Sequence, residues 1–215
     1  LTCASSHVEL GEYLEKHPNN GMPFGFPPLT ESEFQTIAGW LGQGAHGPTD
    51  EEQKALVSIS PFDVMAVDKW ETFLNSDDVK HQMTARYLYE HLFLAHIKFP
   101  TTSGAFYELV RSRTPSPEPI DLVATVRPYD DPGVDRVYYR FRKIHSTIVH
   151  KTHMVFELDD NQFSRVNELF IETSWPEEPH LVGYEKKLSA NPFKSFAQIP
   201  PASRYQFLLD NAHYI

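Results

Sequence analysis

The spacing of apolar residues changes near Gly104, and this change constrains the fold more than any other feature of the 215-residue sequence. Before Gly104, apolar residues recur every three or four positions, as on the buried face of a helix. After it, segments rich in Val, Ile, Tyr, Phe and Thr are separated by turn residues, most clearly at 130–133. The sequence therefore predicts an α+β protein in which helices precede antiparallel strands and hairpins.

The same patterns predict the bounds of individual elements. Ser6, with Glu9 three residues later, begins a short helix, and Thr30 with Glu33 forms a capping box for another. The longest helix is apolar on nearly all sides and is therefore predicted to be buried. The predicted helices are 6–17, 31–42, 61–74, 77–98, 160–172 and one beginning after Pro201, and the predicted strands are 105–113, 122–127, 134–143 and 147–158.

Composition excludes several classes of protein. Cys3 is the single cysteine, so the chain has no internal disulfide framework, no zinc site with two thiolates and no c-type haem held by two thiols of its own. A net charge of -10 without a basic stripe disfavours nucleic acid as a partner. The sequence contains no phosphate-binding glycine motif, which disfavours a nucleotide. No apolar run has the length of a spanning helix, and the first twenty residues do not resemble a signal peptide.

Met22 lies between Gly21 and Pro23, in a loop that precedes the helix containing Trp40. Small cytochromes present a thioether to haem iron from such a loop, because sulfur is a suitable axial ligand. Met22 is therefore a candidate axial ligand, with Pro23 and Trp40 near the haem. The alternative is that Met22 fills the apolar interior of its loop.

A second group of candidates lies on the predicted buried helix. Arg86 and Glu90 are four positions apart and can pair along one face, whereas His91 and His96 lie on different faces. These four residues are candidate catalytic groups, as a pocket wall or a proton relay. The alternative is a satisfied buried ion pair with hydrogen-bonded imidazoles.

Five arginines lie in the region of the predicted strands. Arg136, Arg140 and Arg142 share one parity, and Arg111 and Arg113 share a face on another strand. Two such rows side by side would bind phosphate or carboxylate, which guanidinium groups grip with two hydrogen bonds. The alternative is a solvated face neutralised by nearby aspartates.

Several segments together resemble the bacterial fatty-acid cis/trans isomerases, over nearly the whole chain and in the same order. The resemblance rests on residues 21–25, 86–96, 110–115, 124–133, 137–140, 151–153, 191–193, 204–205 and 209–212. It implies a periplasmic enzyme that uses haem c to convert cis double bonds of acyl chains to trans without moving the bond. The implied substrates are unsaturated fatty acids or membrane phospholipids, and the implied role is to stiffen the membrane under stress.

The resemblance also implies how the chain is organised. Residues 1–46 would be the C-terminal part of a cytochrome-c-like haem domain, 47–60 a linker with a short helix, and 61–215 an α+β domain that is incomplete at its C-terminus. Because Ser6 stands where the second thiol of a Cys-x-x-Cys-His motif belongs, the attachment motif is expected upstream of the chain. The fragment is not expected to be active alone.

In this interpretation the five arginines recognise the substrate headgroup. Two alternative functions stay open. One is a cytochrome-like electron carrier in the periplasm, and the other is a non-enzymatic lipid-binding module.

Overall fold

The computed structural model describes residues 4–18, 20, 29–145 and 155–214. The chain divides into two compact units, Leu1–Glu51 and Glu52–Ile215. The helices are α1 (His7–Lys16), α2 (Glu31–Gly42), α3 (Asp50–Val57), α4 (Val64–Leu74), α5 (Val79–Leu92), α6 (Asp160–Val166), α7 (Lys186–Ser189), α8 (Pro192–Ser195) and α9 (Pro201–Asp210), with a π-helical segment Asn167–Glu172 and a 3-10 turn Ala212–Tyr214. The strands are β1 (His96–Lys98), β2 (Phe106–Ser112), β3 (Tyr138–Ile144) and β4 (Val155–Glu157). The predicted α+β class is confirmed.

The first unit contains α1 and α2. The capping box predicted at the start of α2 is present: the Glu33 amide donates to Thr30 Oγ1, and the Thr30 amide donates to the Glu33 carboxylate. At α1 the hydroxyl and amide of Ser5 bond Glu9, and the Ser6 side chain makes no capping bond. Neither helix buries a side chain, and the apolar face of α2 is about half exposed.

The second unit is built on a mixed sheet with strand order β3-β2-β1-β4. Strands β1, β2 and β3 are antiparallel neighbours, whereas β1 and β4 run parallel, with Ile97 opposite Phe156. Helices α4 and α5 pack on one face of this sheet, and the π-helical segment packs on both α5 and α9. The core between these layers is apolar and fully buried, with Trp70, Leu88, Ile97, Tyr107, Phe141 and Phe170 among its members.

The prediction of a helix over 77–98 was wrong at its C-terminal end. Helix α5 ends at Leu92, and the next residues turn into β1, the strand that contains His96. A continuous apolar run is compatible with either a buried helix or a buried strand, and periodicity alone does not separate them. Ile97 is fully buried between β2 and β4, where its branched side chain favours the strand.

The predicted strand over 122–127 was also wrong. Only Leu122 forms a bridge, opposite Ser112, and the chain then turns. Thr125 Oγ1 donates to the Arg127 carbonyl. This local hydrogen bond takes the place of backbone hydrogen bonds to a neighbouring strand. The segment therefore adds a single bridge beside the end of β2, where the Val123 amide donates to the Arg111 carbonyl, and does not form a strand.

Strand β3 lies at an edge of the sheet, and side chains of α4 and its C-cap occupy that edge. The Phe141 amide donates to Glu71 Oε1 at 2.9 Å. Asn75 imitates a neighbouring strand, because its Oδ1 accepts from the Tyr139 amide and its Nδ2 donates to the Tyr139 carbonyl. The amides of Tyr139 and Phe141 and the Tyr139 carbonyl are therefore satisfied at this edge.

Across the parts of the chain that the structure describes, no helix combines the length and the apolar character needed to cross a membrane.

Candidate functional site

Arg86 and Glu90 form the predicted pair on one face of α5, and both are buried. Arg86 Nε donates to Glu90 Oε1 at 2.8 Å, and the two side chains are 5% and 7% exposed. Arg86 Nη1 donates to the carbonyls of Val182 and Gly183 at 2.6 and 3.2 Å, and the Tyr184 ring lies 4.0 Å from Cζ. The guanidinium is thus fixed by the carboxylate, by two backbone carbonyls and by the aromatic ring. Its Nη2 has no hydrogen-bond partner.

A second buried arginine lies close to this pair. Arg111 is 1% exposed, donates from Nη1 to the Asp130 carbonyl and from Nη2 to Thr125 Oγ1, and lies over the Tyr89 ring at 5.2 Å. Its Nε has no partner. In the described part of the chain no carboxylate forms an ion pair with Arg111. Its positive charge is stabilised by hydrogen bonds to the Asp130 carbonyl and Thr125 Oγ1 and by the Tyr89 ring.

The environment of this cluster shifts several pKa values. Burial raises the pKa of Glu90, and the positive charges of Arg86 and Arg111 act in the opposite direction. Burial also raises the pKa values of Tyr89 and Tyr139, so both phenols stay protonated at neutral pH. The cluster therefore combines two permanent positive charges with one buried carboxylate whose pKa is raised.

A cavity of about 150 Å³ adjoins the cluster, and we call it the arginine cavity. Arg86, Tyr139, Tyr184 and Arg136 contribute to its wall together with the apolar residues Leu74, Met83 and Val134. Arg136 precedes β3 and pairs with Asp77 Oδ1 at 2.6 Å while donating to the Asn75 carbonyl. The cavity thus combines guanidinium groups with an apolar lining.

The predicted arrangement of two arginine rows side by side was wrong. Arg111 lies opposite Tyr139 in the register of β2 and β3, whereas Arg140 lies opposite Val110. Since partners in a ladder share a face and neighbours alternate, Arg111 faces the helices and Arg140 and Arg142 face the other side. Arg113 follows the end of β2 and pairs with Asp121 at 3.0 Å on the surface.

The two predicted histidines are not brought into the cluster. His91 Nδ1 lies 2.7 Å from the Tyr87 carbonyl, and burial lowers the pKa of its imidazole. The prediction that His96 lies on the buried helix was wrong, because it begins β1 and its ring lies against Phe106. His96 Nδ1 is buried without a partner. The described contacts therefore connect neither imidazole to Arg86 or Glu90.

The other face of the sheet forms a groove of about 750 Å³, which we call the sheet groove. Apolar residues of 57–59 and 117–120, together with Leu122, contribute to its walls. Its charged lining residues are Arg140, Arg142 and Lys143 and the carboxylates Glu108 and Glu118. Arg142 pairs with Glu108 at 2.8 Å and is 42% exposed. The groove shares no lining residue with the arginine cavity.

Arg140 is the buried arginine of the sheet groove. Its Nε lies 2.8 Å from Glu71 Oε2, close enough for an ion pair but not aligned as a hydrogen bond. Its Nη1 donates to the Thr114 and Glu118 carbonyls. Burial raises the pKa of Glu71, and the Phe141 amide and Arg140 oppose that shift. Arg140 therefore fastens α4 and the 114–118 segment to β3.

The first unit contributes Trp40 to the predicted haem surroundings. Trp40 is half exposed, and its Nε1 donates to the His46 carbonyl at 3.0 Å. Met22 and Pro23, predicted as the axial ligand and its neighbour, lie outside the described residues. Within the described ranges no three His, Cys, Asp or Glu side chains group so as to hold a metal ion.

The donor set of the chain does not match the two-thioether attachment of haem c. That attachment needs two cysteines followed by a histidine. Ser6 and His7 occupy the last two positions of the corresponding spacing, and an exposed serine hydroxyl at the start of α1 cannot form a thioether. The residues of this chain do not fit the group, and no chemical step is assigned to it.

Sequence analysis missed the partners that assemble these sites. Glu71, Tyr89, Tyr139 and Tyr184 come from different elements, and no spacing rule connects them. Only the five-residue span from Arg86 to Glu90 carried a detectable signal, the i, i+4 pairing of opposite charges.

These features define an α+β protein with a groove of apolar and charged residues and a buried arginine cluster on opposite faces of one sheet. A family model described as "Fatty acid cis/trans isomerase (CTI)" matches residues 1–215. The chain therefore belongs to the fatty acid cis/trans isomerase family, as the resemblance implied. Searches of curated proteins and of solved structures found no match.

Proposed function

We propose that this chain is part of an isomerase that converts cis double bonds of acyl chains to trans, and that the sheet groove holds the acyl chain of the substrate. Membership of the family implies isomerase activity on fatty acyl substrates. The observation that carries the placement is the groove itself, whose volume of about 750 Å³ lies within the range of roughly 300–1,000 Å³ common for small-molecule sites.

The lining of the groove fits an acyl chain with an anionic end. Ile59, Ile120 and Leu122 would contact methylene groups, which gain about 0.8 kcal/mol for each group removed from water. Arg142 lies within the groove and is partly exposed, so its guanidinium can bind a phosphate or carboxylate by exchanging its pairing with Glu108. The guanidinium of Arg140 is already paired with Glu71 and bonded to two backbone carbonyls. Arg140 therefore stabilises the wall of the groove and does not bind the substrate.

The groove would contribute binding and orientation. Rotation about a C=C bond requires that the π bond be weakened, and no residue of the groove is assigned that step. The groove would hold one stretch of the acyl chain in an extended conformation. Haem use, a periplasmic location and a role in the stress response belong to the same proposal.

A groove-filling substitution tests the placement. Ile120→Trp adds a large ring to the groove wall, and the matched control Leu209→Trp adds the same ring to an exposed position of α9. The full-length protein is incubated with vesicles of cis-unsaturated phospholipid, and trans acyl chains are measured by gas chromatography. We expect Ile120→Trp to lower the initial rate at least tenfold and Leu209→Trp to leave it unchanged. Equal rates in both variants would remove the groove from the substrate path.

The same assay distinguishes the alternative functions. Binding of acyl chains by a correctly folded protein without any trans product would favour a lipid-binding module. Haem content is measured separately from the absorption of its pyridine complex. A haem-loaded protein that exchanges electrons with a partner but makes no trans product would favour the electron carrier.

A further inference from the structure

We propose that the arginine cavity is a carboxylate-binding site, separate from the sheet groove, which takes a short aliphatic carboxylate or the carboxyl end of a free fatty acid. The site is built from Arg86, with Arg136 at its rim. Arg111 does not line the cavity and adds buried positive charge close to the wall residue Tyr139. Nothing in the proposed isomerase function requires it.

The first argument is charge balance. Buried guanidinium groups are stable only when they are paired with anions or fully hydrogen bonded. Arg86 and Arg111 are 4% and 1% exposed, yet Glu90 is the only carboxylate that ion-pairs with either of them within the described ranges. Two guanidinium groups with one carboxylate leave the cluster with an excess of positive charge. A bound anion would remove that excess.

The second argument is the presence of an unused donor. Arg86 lines the cavity, and its Nη2 is a buried N–H group without an acceptor. Such groups are rare in folded proteins, because leaving a buried donor unsatisfied is costly. The remaining nitrogens of Arg86 are fixed by Glu90 and by the carbonyls of Val182 and Gly183, so the free nitrogen is held in place.

The third argument is the size and lining of the space. About 150 Å³ is the volume of a cavity that accommodates one benzene molecule, which has six heavy atoms. Butyrate also has six heavy atoms. Leu74, Met83 and Val134 offer apolar contacts to its methylene groups, whereas the exposed Asp135 on the rim disfavours a second negative charge. The lining therefore favours a monocarboxylate over phosphate.

Titration of the full chain with sodium butyrate tests the proposal. The measurement is the movement of the arginine Nε–Hε signals in nitrogen-15 NMR spectra, assigned by substitution. We expect butyrate to shift the signal of Arg86 in a saturable manner, and methyl butyrate and inorganic phosphate to leave it unchanged. Equal shifts with the ester would overturn the carboxylate assignment, and so would equal shifts with phosphate.

Variants then locate the site. Arg86→Gln should weaken butyrate binding at least tenfold, and the matched control Arg113→Gln, at a surface arginine that lines neither space, should not change it. If Arg86→Gln does not fold, Val134→Trp gives a second test, because it fills the cavity from a partly exposed position. Unchanged binding in a folded Arg86→Gln or Val134→Trp variant would refute the proposal.

Palmitoleate below its aggregation concentration distinguishes a free fatty acid from a small carboxylate as the ligand. Competition with butyrate for the Arg86 signal would show that the carboxyl end of a long chain enters the cavity. Binding of butyrate without such competition would restrict the ligand to short carboxylates. Loss of isomerase activity in groove variants would leave all of these results unchanged, so the two proposals fail independently.

Discussion

Arg86 and Glu90 show how burial changes the value of a salt bridge. Exposed ion pairs contribute about 0–1 kcal/mol, but removing one member of a buried pair leaves an uncompensated charge and costs about 3–5 kcal/mol. The side chains of Arg86 and Glu90 are at most 7% exposed, whereas those of Arg113 and Asp121 are about half exposed. The two pairs have similar distances and different surroundings.

We therefore predict that Glu90→Gln lowers the free energy of unfolding by about 3 kcal/mol, at the lower end of the range for breaking a buried pair because the amide retains one acceptor. Asp121→Asn, which breaks the exposed pair, should cost less than about 1 kcal/mol. Urea denaturation followed by circular dichroism measures both. Similar losses in the two variants would show that the burial of Glu90 does not control its contribution.

His91 gives the second unit a pH dependence. Burial lowers the pKa of its imidazole in the folded state, whereas the unfolded chain titrates near the ordinary value of about 6.5. The unfolded state then binds more protons below that pH. Stability from this residue is complete above about pH 6.5 and is lost as the pH falls towards the folded-state pKa.

The predicted outcome is a smaller loss of stability between pH 7.5 and 5.5 in His91→Gln than in the unsubstituted chain. Thermal unfolding at both pH values provides the comparison. His180→Gln, at an exposed position, is the control and should behave as the unsubstituted chain does. An equal loss of stability on acidification in His91→Gln would show that His91 is not its source, and the buried carboxylates Glu71 and Glu90 could not account for it, because their raised pKa values favour the folded state as the pH falls.

At the scale of elements, the edge strand β3 depends on a side chain that acts as a neighbouring strand. Asn75 makes two hydrogen bonds with the backbone of Tyr139 and one with the Glu71 carbonyl. We predict that Asn75→Ala destabilises the protein by about 1–3 kcal/mol, because it leaves backbone groups of Tyr139 unsatisfied. The same change should increase aggregation at elevated temperature, since an open strand edge pairs with other chains.

Light scattering during a thermal ramp measures that aggregation. Asn161→Ala is a suitable control, because Asn161 bonds only the side chain of Asp159 on the surface. If Asn75→Ala loses stability without scattering more light than the control, the edge is protected by other features of the sheet.

Some elements were predictable from sequence because their signals are local. The Thr30–Glu33 capping box, the i, i+4 pair Arg86–Glu90 and the strand over 105–113 each depend on a few adjacent residues. The faces of the arginines were not predictable in the same way. Parity shows which residues of one strand share a face, but the register between β2 and β3 decides which faces coincide.

At the scale of the whole molecule, the sheet separates two spaces of different character. The sheet groove is open and large, and its charge is partly exposed, whereas the arginine cavity is small and its charge is buried. Neither was predictable from sequence, because each is completed by segments distant along the chain, such as 117–122 and 181–184. The class of fold and the family were predictable, since they rest on composition, periodicity and many short motifs in order.

The separation predicts that substrate recognition and folding stability can be changed independently. Arg142→Gln should lower kcat/KM for vesicles containing anionic phospholipid about tenfold, because a hydrogen bond to a charged group contributes about 1.5 kcal/mol. Its effect on the free energy of unfolding should stay below about 1 kcal/mol, as for other exposed pairs. Arg113→Gln provides the control for both measurements. An unchanged kcat/KM would exclude Arg142 from recognition of the headgroup.

The parallel pairing of β1 with β4 has a consequence for the order of folding during synthesis. Ile97 is paired with Phe156, a residue that the ribosome adds almost sixty positions later. At roughly 5–20 residues per second, several seconds separate the appearance of the two strands. Throughout that interval the edge of β1 that pairs with β4 is unpaired. The face of α5 that contacts Phe207 of α9 stays exposed longer, until α9 is synthesised. The nascent second unit therefore exposes surfaces that a chaperone binds.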